Sequence, residues 1–142
     1  VFFDGVLELV EDLRAAGWAT AICTNKPQAM SERLIDALGQ THLFDANCGG
    51  DRFEYRKPDG RHLLSTIELA AGNPNRAIMF GDSISDIVGA RDAGVPVVGV
   101  PFGYTDKPIA ELKPDLVIET WREIDVATIE RLVSTFHAGQ PG

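Results

Sequence analysis

Cysteine is scarce in this chain of 142 residues, with only Cys23 and Cys48. They form no CxxC and have no paired histidine, so they read as two reduced thiols packed near strand ends. Reduced thiols fit a cytoplasmic protein. Basic residues are also few, 13 Lys and Arg against 21 Asp and Glu, for a net charge of −8. That balance argues against non-specific nucleic-acid binding. It also means that an anionic substrate needs a local positive charge to approach. No apolar run reaches the roughly 18 residues of a membrane span, and no signal-peptide pattern opens the chain. No GxGxxG follows a strand, so a dinucleotide site has no support. Internal repeats, low-complexity runs and linkers are missing too. The three histidines, His42, His62 and His137, share no spacing and read as surface residues.

What is present is ordinary for one globular domain: 44% hydrophobic and 24% charged residues, enough to bury a core. Val6, Leu9, Val10 and Leu13 recur at helical spacing before Gly17, which predicts a helix over 6–16. Residues 18–23 predict a buried strand that ends at Thr24-Asn25-Lys26-Pro27. Pro27 suits a first helical turn, and Met30, Leu34, Ile35 and Leu38 supply that helix with an apolar face, closed by Gly39. Residues 43–48 are a weaker strand. Leu63, Leu64, Ile67 and Ala71 mark the next helix, 77–80 the next strand, and Ile87, Ala90 and Ala93 a helix ended by Gly94. Strands at 95–100 and 115–118 follow, then a terminal helix carrying Ile124, Ile129, Leu132, Val133 and Phe136, and a frayed tail from 138. This alternation predicts an α/β fold with a parallel sheet.

The chemistry gathers where strands end. Met79-Phe80-Gly81-Asp82-Ser83-Ile84-Ser85-Asp86 places two carboxylates four residues apart across a strand-to-helix turn. Such turns lie at the carboxyl edge of a parallel sheet, where ligand sites form. The other strand ends bring Thr24, Asn25 and, after a polar excursion, Lys57 to that edge. A hard divalent ion such as Mg²⁺ takes one or two carboxylates plus substrate phosphate. A hydroxyl and an ammonium can meet phosphate oxygens, and phosphoryl transfer needs little beyond such positioning and charge neutralisation. Taken singly, each piece has an ordinary use: Thr24-Asn25 as a helix cap, Lys57-Pro58 as a solvated lysine, Asp82-Ser83 as an N-cap and Asp86 as a first-turn acid.

In combination, Thr24-Asn25-Lys26-Pro27, Arg56-Lys57-Pro58-Asp59 and Gly81-Asp82-Ser83-x-x-Asp86 resemble the second, third and fourth motifs of the haloacid dehalogenase superfamily. Gly49-Gly50-Asp51, the run from Ala93 to Val100, and Phe102-Gly103-Tyr104 look like its phosphoglycolate phosphatase group. The resemblance implies a three-layer Rossmann-like core with a mostly parallel sheet. It implies phosphate binding by Thr24, Asn25 and Lys57, with Thr24 and Lys57 in catalytic roles, and Mg²⁺ binding by Asp82 and Asp86. The substrate it implies is a small phosphorylated metabolite, 2-phosphoglycolate, cleaved through an aspartyl-phosphate. Gly60 stands where a second proline is usual. The larger departure is the first motif, an apolar strand ending in Asp-x-Asp-Gly-Thr. Val1-Phe2-Phe3-Asp4-Gly5 echoes it without the second Asp or the Thr, and reads instead as re-entry into the core after a cap domain.

Three expectations follow. The core, 1–137, is a C-terminal part lacking its nucleophile strand and cap, with 138–142 a flexible tail; the chain also opens without Met. The missing strand belongs between those ending at Thr24 and Asp82, so its absence leaves two apolar edges. The chain alone does not turn over substrate. Two other functions remain open: a non-catalytic phosphate- or partner-binding module of the same fold, and a phospho-accepting receiver domain. In the receiver pattern an acidic pair comes early and the lysine late, the reverse of the order here.

Overall fold

The computed structural model describes residues 5–100 and 113–138. The expectations placed on Phe3, Asp4, Gly103 and Tyr104 lie outside the described residues, as does 139–142. Helix α1 spans Val6–Ala15, preceded by Gly5 at φ 90. Strand β1, Ala21–Cys23, leads into α2, Gln28–Ala37. A 3₁₀ turn at Thr41–Leu43 precedes β2, Ala46–Cys48. An irregular stretch then delivers α3, Gly60–Leu69. Next come β3, Met79–Gly81, and α4, Ile84–Ala93. The chain closes with β4, Val97–Gly99, β5, Leu116–Val117, and α5, Val126–Ala138. Helix α5 therefore includes Ala138, the first residue of the expected tail.

The strands alternate their side chains between two cores, as a period of two requires. Phe80 and Val98 face a cluster with Leu9, Leu13, Ile118, Ile129 and Val133, beneath α1 and α5. Met79 and Val97 face the opposite cluster with Leu63, Ile87, Ala90 and Val95, beneath α3 and α4. This is a three-layer α/β arrangement with helices on both faces. Gly94 ends α4 in the left-handed conformation at φ 73, a stop that glycine makes without strain.

All the pairings are parallel, but they fall into two sheets, β1-β2 and β3-β4-β5. The split lies between β1 and β3, where the sequence leads one to expect a missing strand. A cleft of about 570 Å³ occupies it, lined by Ala21, Ile22 and Cys23 on one side and Ile78, Met79 and Phe80 on the other. The Thr24 N–H donates to Cys48 and the Asp45 N–H to Thr20, so these β1-side residues face β2. Alternation along the strand then turns the backbone groups of Ala21 and Cys23 toward the cleft. Across it, the Met79 N–H donates to Pro96 and the Gly81 carbonyl accepts from Val100, which turns Ile78 and Phe80 toward the cleft in the same way.

Two expectations about side chains are corrected. Of the apolar face expected of α2, Ile35 is buried, but Met30 and Leu34 are exposed at 47% and 40%, and Ser31 is buried instead. The Ser31 hydroxyl reaches Asn47 Oδ1 at 2.6 Å, so a polar tie to β2 sets the rotation of the helix. In α3, Leu64 is exposed, Ala71 lies beyond the helix, and His62 and Thr66 are buried in their place. The surface reading of His62 is thus wrong. The stretch 49–59 offers no regular partner strand, and the imidazole fills space beneath it.

Candidate active site

The carboxyl ends of β1 and β3 are joined through one side chain. Lys57 is 5% exposed and Asp86 is 7% exposed. The ammonium of Lys57 donates to the Cys23 carbonyl at 2.6 Å and forms a buried ion pair with Asp86 Oδ1. The far carboxylate oxygen, Oδ2, accepts the Asp82 N–H at 3.0 Å. Lys57 thus bridges the last residue of β1 and the first turn of α4, and its stem passes over Gly89, where an added Cβ would lie 3.2 Å from Lys57 Cγ. The Lys57-Pro58 peptide is cis.

Each candidate residue can be placed. Ser83, not Asp82, caps α4, its hydroxyl accepting the Asp86 N–H at 3.3 Å. Asp82 is thereby left without a capping duty. Thr24 Oγ1 accepts the Lys26 N–H at 3.1 Å, and its own proton remains available to donate. Asn25 spends its Nδ2 on the Lys57 carbonyl at 2.8 Å, and its Oδ1 is buried without a hydrogen-bond partner. The side chain expected beside the phosphate thus also holds the Lys57 main chain.

Several contributors escaped sequence reasoning. The Cys23 carbonyl is a backbone group, which no residue pattern advertises. Asp51 accepts the Gln28 N–H at 2.6 Å and so caps α2 from just beyond the end of β2. The signal for this was the pair Gly49-Gly50. A Cβ on Gly49 would lie 2.7 Å from the Lys26 carbonyl oxygen, and one on Gly50 would strike the Asn25 backbone. Gly60 is explained the same way. Its N–H donates to Asp92 at 2.7 Å, and an added Cβ would lie 2.6 Å from the Ala93 nitrogen. Proline there would lose the donor and collide with α4.

Two carboxylates against one ammonium leave the site net negative. Burial first, and the neighbouring Asp86 charge second, push the Asp82 carboxyl above its usual range. A raised carboxyl binds its proton more tightly folded than unfolded, so it removes stability as pH rises through the folded value. In metal-free buffer, Asp82→Asn is therefore expected to raise the melting temperature at pH 7. The advantage should vanish below the ordinary carboxyl value of 3.8. Thermal unfolding at both pH values measures it.

The donor set fits a hard divalent ion. Asp82 and Asp86 are oxygen donors whose mutual repulsion a cation would relieve, and Mg²⁺ accepts few protein carboxylates when water and phosphate complete its shell. Among the described residues no cluster of three or more His, Cys, Asp or Glu side chains gathers to hold a metal. Any ion here would take its remaining ligands from elsewhere.

A parallel α/β core with a lysine and an acidic pair at the carboxyl edge of its strands defines a class, and the comparisons agree with it. Residues 1–100 match the family model described as haloacid dehalogenase-like hydrolase, and the chain belongs to that family. It is 48% identical over 132 residues to the phosphoglycolate phosphatase of Agrobacterium fabrum, covering 93% of this chain and 57% of that protein. It is 43% identical over 132 residues to the phosphoglycolate phosphatase of Caulobacter vibrioides, covering 93% of this chain and 56% of that one. In solved structures it superposes on a predicted phosphoglycolate phosphatase from Haemophilus somnus with a TM-score of 0.79 and 33% identity, covering 85% of this chain and 54% of that one. A β-phosphoglucomutase from Clostridium difficile, at 18% identity and TM-score 0.80 over 96% of this chain and 58% of that one, shares the fold. The chain spans a little over half the length of these relatives.

Proposed function

We propose that this chain is the larger part of the catalytic core of a Mg²⁺-dependent phosphomonoester hydrolase acting on 2-phosphoglycolate or a similarly small phosphorylated metabolite. The observation that carries this reading is the buried Lys57, held between the ends of β1 and β3. A lysine is desolvated only where its charge is used or balanced. Its ammonium has three protons; Cys23 and Asp86 take two, and the third is free for a phosphate oxygen or for the attacking carboxylate. The Thr24 hydroxyl donates to a second phosphate oxygen. Asp82, free of capping, would hold Mg²⁺ directly, and Asp86 would hold it or order its waters. When bound, the ion neutralises charge on the phosphate oxygens.

The attacking carboxylate comes, in this reading, from a further strand seated between β1 and β3. Both flanking strands turn backbone groups toward that cleft. Phosphoryl transfer to such a carboxylate breaks the ester bond, forms an acyl phosphate and releases the alcohol; water then cleaves the acyl phosphate. The relatives named phosphoglycolate phosphatase suggest the substrate, and a cytoplasmic location goes with the reduced thiols.

The test is a phosphatase assay with Mg²⁺ and 2-phosphoglycolate. The purified chain of 142 residues is expected to show no turnover. A longer polypeptide that adds an Asp-x-Asp-Gly-Thr strand is expected to be active, and to lose activity with Asp82→Asn. Turnover by the chain alone, abolished by Asp4→Asn as well as Asp82→Asn, would place the nucleophile at the N-terminal end of this sequence instead. Mg²⁺ or phosphate binding by calorimetry, with no turnover in the longer form either, would favour a binding module. The sparse set of acidic residues at the metal position is the observation on that side.

A further inference from the structure

Lys57 is gripped at its backbone as well as at its ammonium. Its carbonyl accepts from Asn25, and its N–H donates to His62 Nδ1 at 3.3 Å. The second contact matters because Lys57 lies in the irregular stretch after β2, where no ladder fixes the main chain. A side chain has to do so, and it has to be an acceptor, since a buried N–H without a partner is costly.

His62 is well placed for the task. It lies in the first turn of α3 and is 0% exposed. Its ring meets Phe53 edge-on at 5.7 Å, and its carbonyl accepts the Thr66 hydroxyl at 2.8 Å. A backbone N–H can only donate, so Nδ1 carries no proton; the ring is neutral and its proton sits on Nε2. Nε2 is buried without a hydrogen-bond partner, and the Cys48 and Gly49 backbone lies near the ring. Burial, and after it the Lys57 charge, hold the imidazole below its ordinary value, in keeping with a neutral ring.

We infer that His62 is a positioning residue. Its neutral, Nε2-protonated imidazole ties the Lys57 main chain to the first turn of α3 and so sets where the Lys57 ammonium points. The purpose assigned to the ammonium rests on the phosphatase reading; the tie itself is a property of this chain and is tested without turnover. His62 touches neither phosphate nor metal and acts only through Lys57.

Long-range proton–nitrogen spectra of the wild-type chain read the ring directly. The expected result is a neutral Nε2–H tautomer for His62 across roughly pH 5 to 8. Two variants then separate acceptance from filling. His62→Asn puts an oxygen where Nδ1 sits; His62→Leu fills the space and accepts nothing. Measured against the Ile87 and Val98 amides of the same sample, Lys57 amide exchange should speed up about tenfold or more in His62→Leu and stay within about threefold of wild type in His62→Asn. An Nδ1-protonated or charged His62 at neutral pH would overturn the inference. So would Lys57 exchange that follows the reference amides equally in both variants. Should His62→Leu not fold, the wild-type tautomer and the Asn variant decide. A longer form that lacks phosphatase activity would count against the proposed function and leave this result standing.

Discussion

Asp86→Ala should destabilise the chain by roughly 3–5 kcal/mol in urea unfolding at neutral pH, because it strands a buried cation. Lys57 is enclosed by the end of β1, the Asp86 carboxylate and the α4 backbone at Gly89. With the carboxylate gone, the ammonium keeps only the Cys23 carbonyl, and the Asp82 N–H loses its acceptor. Lys57→Met should cost a similar amount, since it leaves two acidic groups side by side without a counter-charge. The pair itself is another matter. Bringing both charges out of water costs several kcal/mol, and their attraction returns about as much. The double variant Lys57→Met with Asp86→Leu is therefore expected to recover most of the stability lost by either single change. Recovery would show that the pair is not kept for stability and that its retention has to be explained by chemistry. If the double variant is as unstable as the sum of the singles, the pair is a structural element and the catalytic case for Lys57 weakens.

That contrast separates what the sequence discloses from what it hides. Apolar periodicity and glycine stops are local, so α1, α4 and the carboxyl ends of β1 and β3 fall within a few residues of their expected positions. The candidate residues could be read off because strand ends of a parallel sheet share an edge, whatever the details of packing. The contacts that position them are not local. Asn25 and Lys57 are 32 residues apart and Gln28 and Asp51 are 23 apart, and nothing in either segment alone shows that they meet. The apolar face expected of α2 holds at Ile35 but fails at Met30 and Leu34, for a related reason. Met30, Leu34 and Leu38 follow a helical stripe, yet the helix turns to satisfy Ser31, Gln28 and the caps supplied by the β2 exit. The surface reading of His62 fails because a histidine in a helix-forming run carries no sign of whether its ring is buried. The split between the sheets was legible only through the resemblance, since no residue pattern within the chain marks an absent neighbour.

Gly81→Ala carries the other large expected effect, and for a reason of space, not backbone strain. A Cβ on Gly81 would overlap Asp86 Cβ and lie 2.7 Å from Cγ and 2.8 Å from Oδ2. Asp86 has little room to retreat. It belongs to the first turn of α4, where its N–H bonds to Ser83 and its carboxylate bonds to Lys57 and the Asp82 N–H. Accommodating one methyl group therefore means breaking that set or shifting the start of the helix, and the loss expected is roughly 3 kcal/mol or more, overpacking added to a damaged buried pair. Gly89→Ala is the matched control on the same helix. The nearest atoms to its added Cβ belong to the Lys57 stem, 3.2 Å away at Cγ, and a flexible stem yields for about 1 kcal/mol. Equal losses at the two positions in urea unfolding would mean that Asp86 is free to move aside. In that event the close approach of β3 to its carboxylate would not be what sets the geometry of the acidic turn. A much larger loss at Gly81, together with exchange broadening of the Lys57 and Asp82 amides confined to that variant, would tie the glycine to the lysine through Asp86. The turn at the end of β3 would then be a single packed unit, with the glycine present because the carboxylate needs the room.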